Sequence, residues 1–226
     1  MAAAVDKAYL AIRDGIVRGR FSPGSHLTAH DLASASGLSR TPVREAMRRL
    51  HAEGLIEFIP HRGAFVTRID ESEINNIYDL RVALESYAAE AAARNVTPSQ
   101  LEDLRSLATQ MRDLIEERPP EFTETLAEMN NHFHKQIVVA SHNPRLQSAL
   151  SSIVEMPLVL RTFRGRNLDQ LRRSNDQHLE LVSALAQRDC AWARSVMTSH
   201  ILSAQHMLLR TIAAERESEK VEIVNP

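Results

Sequence analysis

A chain of 226 residues has room for one large domain or two small ones. Its 43% hydrophobic and 25% charged residues exclude global disorder, and a single cysteine, Cys190, excludes an internal disulfide framework and fits a reducing cytoplasm. No apolar run reaches the roughly 18 residues a bilayer span needs: the best stretch, Ile153 to Leu160, is interrupted by Glu155 and Pro157, and Met1 to Lys7 is charged too early for a secretory signal. The expectation is a cytoplasmic protein without a membrane partner. A net charge of −2 hides an asymmetry, because residues 1–69 carry 10 Lys and Arg against 6 Asp and Glu, and the remainder 17 against 23. A basic first module joined to an acidic second one suits a polyanion-binding unit followed by a non-binding unit.

Along the chain, Tyr9, Leu10, Ile12, Ile16 and Val17 mark a first helical face that stops near Gly19, followed by the turn Phe21-Ser22-Pro23-Gly24. Thr28 is placed to cap a short second helix, with Asp31 as its acidic partner and Gly37 as its left-handed terminator. Ser39 is placed to cap a third, with Pro42 in its first turn, an inner face of Val43, Ala46, Met47 and Leu50, and Gly54 at its end. Two strands follow, Leu55 to Ile59 and Ala64 to Thr67, around the turn Pro60-His61-Arg62-Gly63. Beyond Ile69 the pattern becomes amphipathic helix throughout, read as 73–95, 98–117, 121–141, 144–164, 168–187 and 190–216, with a fraying tail from Glu215. Thr97-Pro98-Ser99-Gln100 is a helix start, and Pro119-Pro120 and Asn143-Pro144 are breaks. The fold class is mainly α: a winged helix-turn-helix over 1–69, then an all-α antiparallel bundle over 70–226.

Two short helices and a wing place the N-terminus of the third helix in a DNA major groove. Arg40 and Arg44, four apart, share one face, and a guanidinium there can grip guanine O6 and N7. Ser39 and Thr41 suit phosphate oxygens, and Arg62-Gly63 sits at the wing tip. The bland alternative is that Arg40, Arg44, Arg48 and Arg49 are only the solvated face of a surface helix; cap, turn, arginine pair and wing in this order favour DNA.

These segments also resemble a family. Val17-Arg18-Gly19-Arg20-Phe21-Ser22-Pro23-Gly24, Leu38-Ser39-Arg40-Thr41-Pro42-Val43-Arg44-Glu45-Ala46, Glu53-Gly54-Leu55-Ile56 and Arg62-Gly63-Ala64-Phe65-Val66 are similar to the winged-helix domain of GntR-family bacterial transcription regulators. The resemblance implies contact of Arg40, Thr41 and Arg44 with operator DNA and Gly63 at the wing, with His30 standing where the family often has an arginine.

In the second module, Asn130 and His134 share a helix face at i,i+4, whereas His132 points elsewhere; His178 and His200 lie on two further helices. Three imidazoles and a carboxamide oxygen could converge on a divalent metal ion, and their alternative is ordinary surface or core histidine. Asn130-x-x-Phe133-His134, Asn143-Pro144, His178 and His200 resemble the FCD effector-binding domain (the FadR C-terminal type), in which an Asp or Asn and three His hold such an ion. The resemblance therefore implies Asn130, His134, His178 and His200 as ligands, of zinc first, with nickel, iron or manganese as alternatives. Asn130, neutral where many members have Asp, leaves the site one negative charge short. The six-helix count resembles the VanR-like branch, and the family implies a small carboxylate effector. Arg81 is either its bidentate partner or the partner of Glu85 at i+4. Arg161, Arg164 and Arg166 read as a solvated helix end, and Met156, Leu160, Trp192, Met197 and Met207 as core or dimer packing.

The reading is a homodimeric, non-enzymatic repressor on a pseudo-palindromic double-stranded operator, controlled by an organic acid bound near the metal. Two rivals are a metal-dependent hydrolase or lyase, with Glu128 or Glu180 as general base, and a ligand-free dimerisation scaffold.

Overall fold

The structure, a computed structural model, describes residues 2–17, 19–68, 71–151, 153, 162–163 and 166–224. The chain forms two compact units, Met1–Asp70 and Glu71–Pro226. The first contains α1 (Ala2–Val17), β1 (His26–Leu27), α2 (Ala29–Ser36), α3 (Arg40–Ala52), β2 (Ile56–Ile59) and β3 (Gly63–Val66). Its sheet has the order β1-β3-β2 with both pairs antiparallel, Leu27 opposite Ala64 and Ile56 opposite Val66. Ala8, Ile12, Leu32, Val43, Met47 and Leu50 close a core against Leu27, Ile56 and Val66.

Local chemistry explains most of these boundaries. Thr28 Oγ1 accepts the Asp31 amide at 3.1 Å, and Gly37, at φ 67°, ends α2 in the left-handed conformation that lacks a Cβ penalty. Ser39 precedes α3 as expected but makes no side-chain cap bond. The third residue of that helix is Pro42, which has no amide hydrogen for the serine to accept. Leu10 is a correction to the expected apolar face: it is 59% exposed, because the buried line runs Ala8, Ile12 and Gly15, roughly half a turn away. The strand β1 was not expected. Two residues carry no periodicity, and its place is fixed by pairing with β3 and by Leu27 entering the core.

The second unit contains α4 (Glu71–Asn95), α5 (Pro98–Glu117), α6 (Phe122–Ala140), α7 (Pro144–Ser151), α8 (Leu168–Ala186) and α9 (Cys190–Val224). Complete capping boxes start α5 (Thr97 with Gln100) and α8 (Asn167 with Gln170). Left-handed Arg118 and His142 turn the chain before Pro119 and Pro144. α4 packs on α9 and α6, α5 on α6 and α8, and α8 on α9. Ala88, Ala89, Ala92 and Ala93 bury a small-residue face of α4. α9 continues to Val224, past the point where fraying was expected, since neither Gly nor Pro interrupts residues 190–224. The continuation expected for the fourth bundle helix to residue 164, with Met156, Leu160, Arg161 and Arg164, runs outside the described residues. Met197 is core, as expected, while Trp192 and Met207 are half-buried. No helix among the described residues is long and apolar enough to cross a membrane.

Candidate functional site

Ser39, Arg40, Thr41 and Arg44 all lie exposed at the N-terminal half of α3, and Arg62 and Gly63 lie exposed at the β2–β3 turn. Because Ser39 does not cap, the first-turn amides of α3 stay available to an anion. Arg44 makes no hydrogen bond or ion pair among the described residues. Its neighbours on the helix are engaged: Arg48 with Glu45 at 2.8 Å, and Arg49 with Asp6, Glu53 and the Tyr9 ring, 3.9 Å from its guanidinium carbon. Arg40 Nη2 donates to His30 Nδ1 across 3.0 Å, so His30 orients an arginine on this face. At the wing, Gly63 has φ 106°, and a Cβ there would stand 2.5 Å from His26 Nε2. Arg62 lies over the Phe65 ring.

In the second unit, His134 of α6, His178 of α8 and His200 of α9 come together, each buried, with one ligand nitrogen of each within 4.8 Å of the others. The Nε2 atoms of His134 and His200 are 3.2 Å apart. His134 Nδ1 meets Glu85 Oε2 at 2.6 Å, and His200 Nδ1 meets Gln177 Oε1 at 3.2 Å. Both outer partners are acceptors, so each ring carries a hydrogen on Nδ1, and the two Nε2 atoms face each other. Neither nitrogen of His178 has a hydrogen-bond partner, although both are buried. Burial, reinforced by neighbouring cationic and imidazole groups, pushes His178 and His200 well below the usual imidazole range and keeps them neutral. Three converging imidazoles, with His178 and His200 held neutral and both His178 nitrogens unsatisfied, fit a divalent cation, and the Glu85–His134 bond is the carboxylate–histidine arrangement that raises ligand basicity. Asn130 is buried one helical turn before His134 and lines the same cavity.

Arg81 of α4 borders that cavity, yet its Nε donates to Glu85 Oε1 at 2.7 Å with both side chains buried. The Glu85 pairing weighed for Arg81 is therefore formed, and the arginine also faces the cavity. Burial alone would raise the Glu85 carboxyl; Arg81 and His134 overcome it and hold the group down to about 2. The Arg81 guanidinium is in turn held above its ordinary value against the opposing effect of burial. Arg166 corrects an expectation. Instead of a solvated helix end it is half-buried, its Nε is enclosed with no partner, and desolvation lowers it to about 10. Sequence reasoning placed Glu85 only beside Arg81 and missed Gln177 altogether, because reach between helices has no signature in one dimension. Glu128 and Glu180 are exposed, and Glu180 accepts the Trp192 indole N–H at 2.9 Å, so neither is positioned as a base at the histidines.

Two cavities share Arg166 in their walls. A small one of about 20 Å³ is walled by Tyr78, Arg81, Asn130, His134, Arg166 and His200. An open cleft of about 840 Å³ between α8 and α9 also has Arg166 in its wall.

A winged helix with an unpaired arginine on its third helix, followed by a helical bundle holding a polar, metal-competent cavity, defines a two-module DNA-binding regulator. Residues 4–66 match the bacterial regulatory proteins, gntR family, and residues 76–203 match the FCD domain. The chain belongs to the GntR family of transcriptional regulators and carries an FCD domain. It is 29% identical over 196 residues to the HTH-type transcriptional repressor RspR of Escherichia coli (strain K12), covering 85% of this chain and 83% of that protein. It is 28% identical over 192 residues to the Nta operon transcriptional regulator of Aminobacter aminovorans, covering 85% and 88%. The solved structure of E. coli McbR/YncC shares the fold, with a TM-score of 0.71, 23% identity and coverage of 94% of this chain and 100% of that one. The two sequence relatives are named as transcriptional regulators, not enzymes.

Proposed function

We propose that this regulator is a cytoplasmic homodimeric repressor whose operator affinity is set by a small carboxylate bound beside a divalent metal in the second unit. Residues 1–69 act as the DNA-binding domain and 70–226 as the effector-binding and dimerisation domain. On DNA, Arg40 and Arg44 read guanine edges of a pseudo-palindromic operator. Ser39, Thr41 and the free amides of α3 hold phosphates, His30 steadies Arg40, and Arg62 and Gly63 bring the wing against the backbone. In the bundle, Asn130, His134, His178 and His200 hold the ion, zinc before nickel, iron or manganese. When bound, the ion supplies positive charge and open positions for a carboxylate oxygen. Arg81 lines the same cavity, while Glu85 fixes a hydrogen on His134 Nδ1. The acid alters operator affinity by the difference in its own affinity for the DNA-bound and free arrangements.

The observation that carries the sensor reading is His178, buried with both nitrogens unsatisfied against two further imidazole lone pairs. A native preparation is expected to contain close to one divalent ion per chain by mass spectrometry. His134→Ala should lose it while still binding operator. Native protein without metal, or a His134→Ala variant that retains it, would count against the reading.

A further inference from the structure

The two cavities differ in capacity and in charge. The small one, at about 20 Å³, has room for a single oxygen-sized group. A metabolite needs hundreds of cubic ångströms, and the adjoining cleft of about 840 Å³ provides them. Arg166 belongs to both walls, so a ligand spanning the two cavities would have one end beside Arg81 and pass Arg166. Among the described residues, that cleft is lined by four arginines and by no carboxylate. Arg194 is paired with Glu90 at 2.7 Å, whereas Arg173 and Arg210 make no ion pair among the described residues. Ser174, 8% exposed, lines the cleft with a buried hydroxyl that has no partner. Buried donors left unsatisfied around uncompensated cations await an anionic acceptor.

We propose that the effector carries at least two anionic groups, one presenting a single oxygen to the small cavity beside Arg81 and the histidines, the second held in the cleft by Arg173 and Arg210 with Ser174 and Arg166 between. Its class is a polycarboxylate or a phosphorylated acid, and this rests on the acid-sensing reading of the bundle. Arg173 and Arg210 are exposed, so their replacement leaves the bundle core intact.

Calorimetric titration of the metal-loaded, full-length protein with acetate, succinate and phosphoglycolate tests this. Succinate or phosphoglycolate should bind at least about ten-fold tighter than acetate. The better of the two distinguishes a carboxylate from a phosphoryl second group. Arg173→Ala with Arg210→Ala should erase that advantage while metal content and acetate binding stay as in the wild type, and the paired Lys replacements should keep part of it. Dianions that bind no tighter than acetate, or whose affinity is unchanged in the double Ala variant, overturn the proposal. Native protein that lacks metal but whose dianion binding still depends on Arg173 and Arg210 sinks the metal reading and upholds the cleft.

Discussion

His134 and His200 face each other through Nε2 atoms 3.2 Å apart, and the Nδ1 atom of each ring meets an outer acceptor, Glu85 Oε2 and Gln177 Oε1. A divalent ion there would take a lone pair from each ring, and His178 adds a third donor whose nitrogens have no partner among the described residues. A bound divalent ion should therefore stabilise the fold by mass action, by about 2.7 kcal/mol at a hundred-fold excess over its dissociation constant. Chelation should lower the melting midpoint of the wild type and leave that of His178→Ala unmoved. Equal chelator shifts in both proteins would remove the histidines from the metal site.

Glu85 stands behind this arrangement in two ways, accepting from buried Arg81 and fixing the tautomer of His134. Glu85→Gln keeps the shape but removes the charge. Metal affinity should fall roughly 10- to 100-fold, the usual cost of losing a carboxylate behind a ligating histidine. With Arg81 left buried and uncompensated, the chelated protein should also lose about 3 kcal/mol of unfolding free energy. Denaturant titration in chelator and competition with a metal-binding dye read the two effects separately. A variant that loses neither would show Glu85 to be a bystander.

Much of the fold was legible because its signals are local. Thr97 with Gln100, Gly37 and Asn143-Pro144 act within a few residues, and the structure places helix ends at each. The winged-helix order was legible for the same reason, its segments being contiguous runs. Failures came where the deciding contact is distant or absent. Ser39 has the chemistry of a cap and lacks an amide to accept, because Pro42 stands where the donor should be. Arg166 has the composition of a surface residue, and only its neighbours' positions bury its Nε. The three histidines were on the page as candidates, but the partners that set their tautomers, Glu85 and Gln177, came from helix packing that no spacing encodes.

The His30–Arg40 contact makes a prediction about specificity. Among the described residues, Arg40 has one polar anchor, the 3.0 Å bond to His30 Nδ1, and both side chains are exposed. If His30 acts through Arg40, then His30→Ala should weaken operator binding less than Arg40→Ala, and the double variant should be no worse than Arg40→Ala alone. Fluorescence anisotropy with a duplex from upstream of the chain's own coding region measures the cycle. Fully additive losses would mean that His30 touches DNA independently, as an arginine at its position would.

Arg44 and Arg49 sit five residues apart on α3 and should fail in opposite ways. Arg49 is tied to the body of its unit through Asp6 at 3.3 Å, Glu53 at 3.4 Å and the Tyr9 ring at 3.9 Å. Its ion pairs are half-exposed and so screened, which leaves the ring contact as the larger part of a loss of about 1 kcal/mol in Arg49→Ala. Operator affinity should change little there. Arg44 has no partner among the described residues, so Arg44→Ala should leave the melting midpoint in place. It should cost about 1–3 kcal/mol of discrimination for a bidentate guanine contact, roughly 5- to 150-fold in specific binding. Lost sequence preference with residual binding that falls steeply with salt is the signature expected, because phosphate contacts from Ser39, Thr41 and the α3 amides persist. An Arg44→Ala protein that still prefers operator over random duplex would move the recognition surface elsewhere.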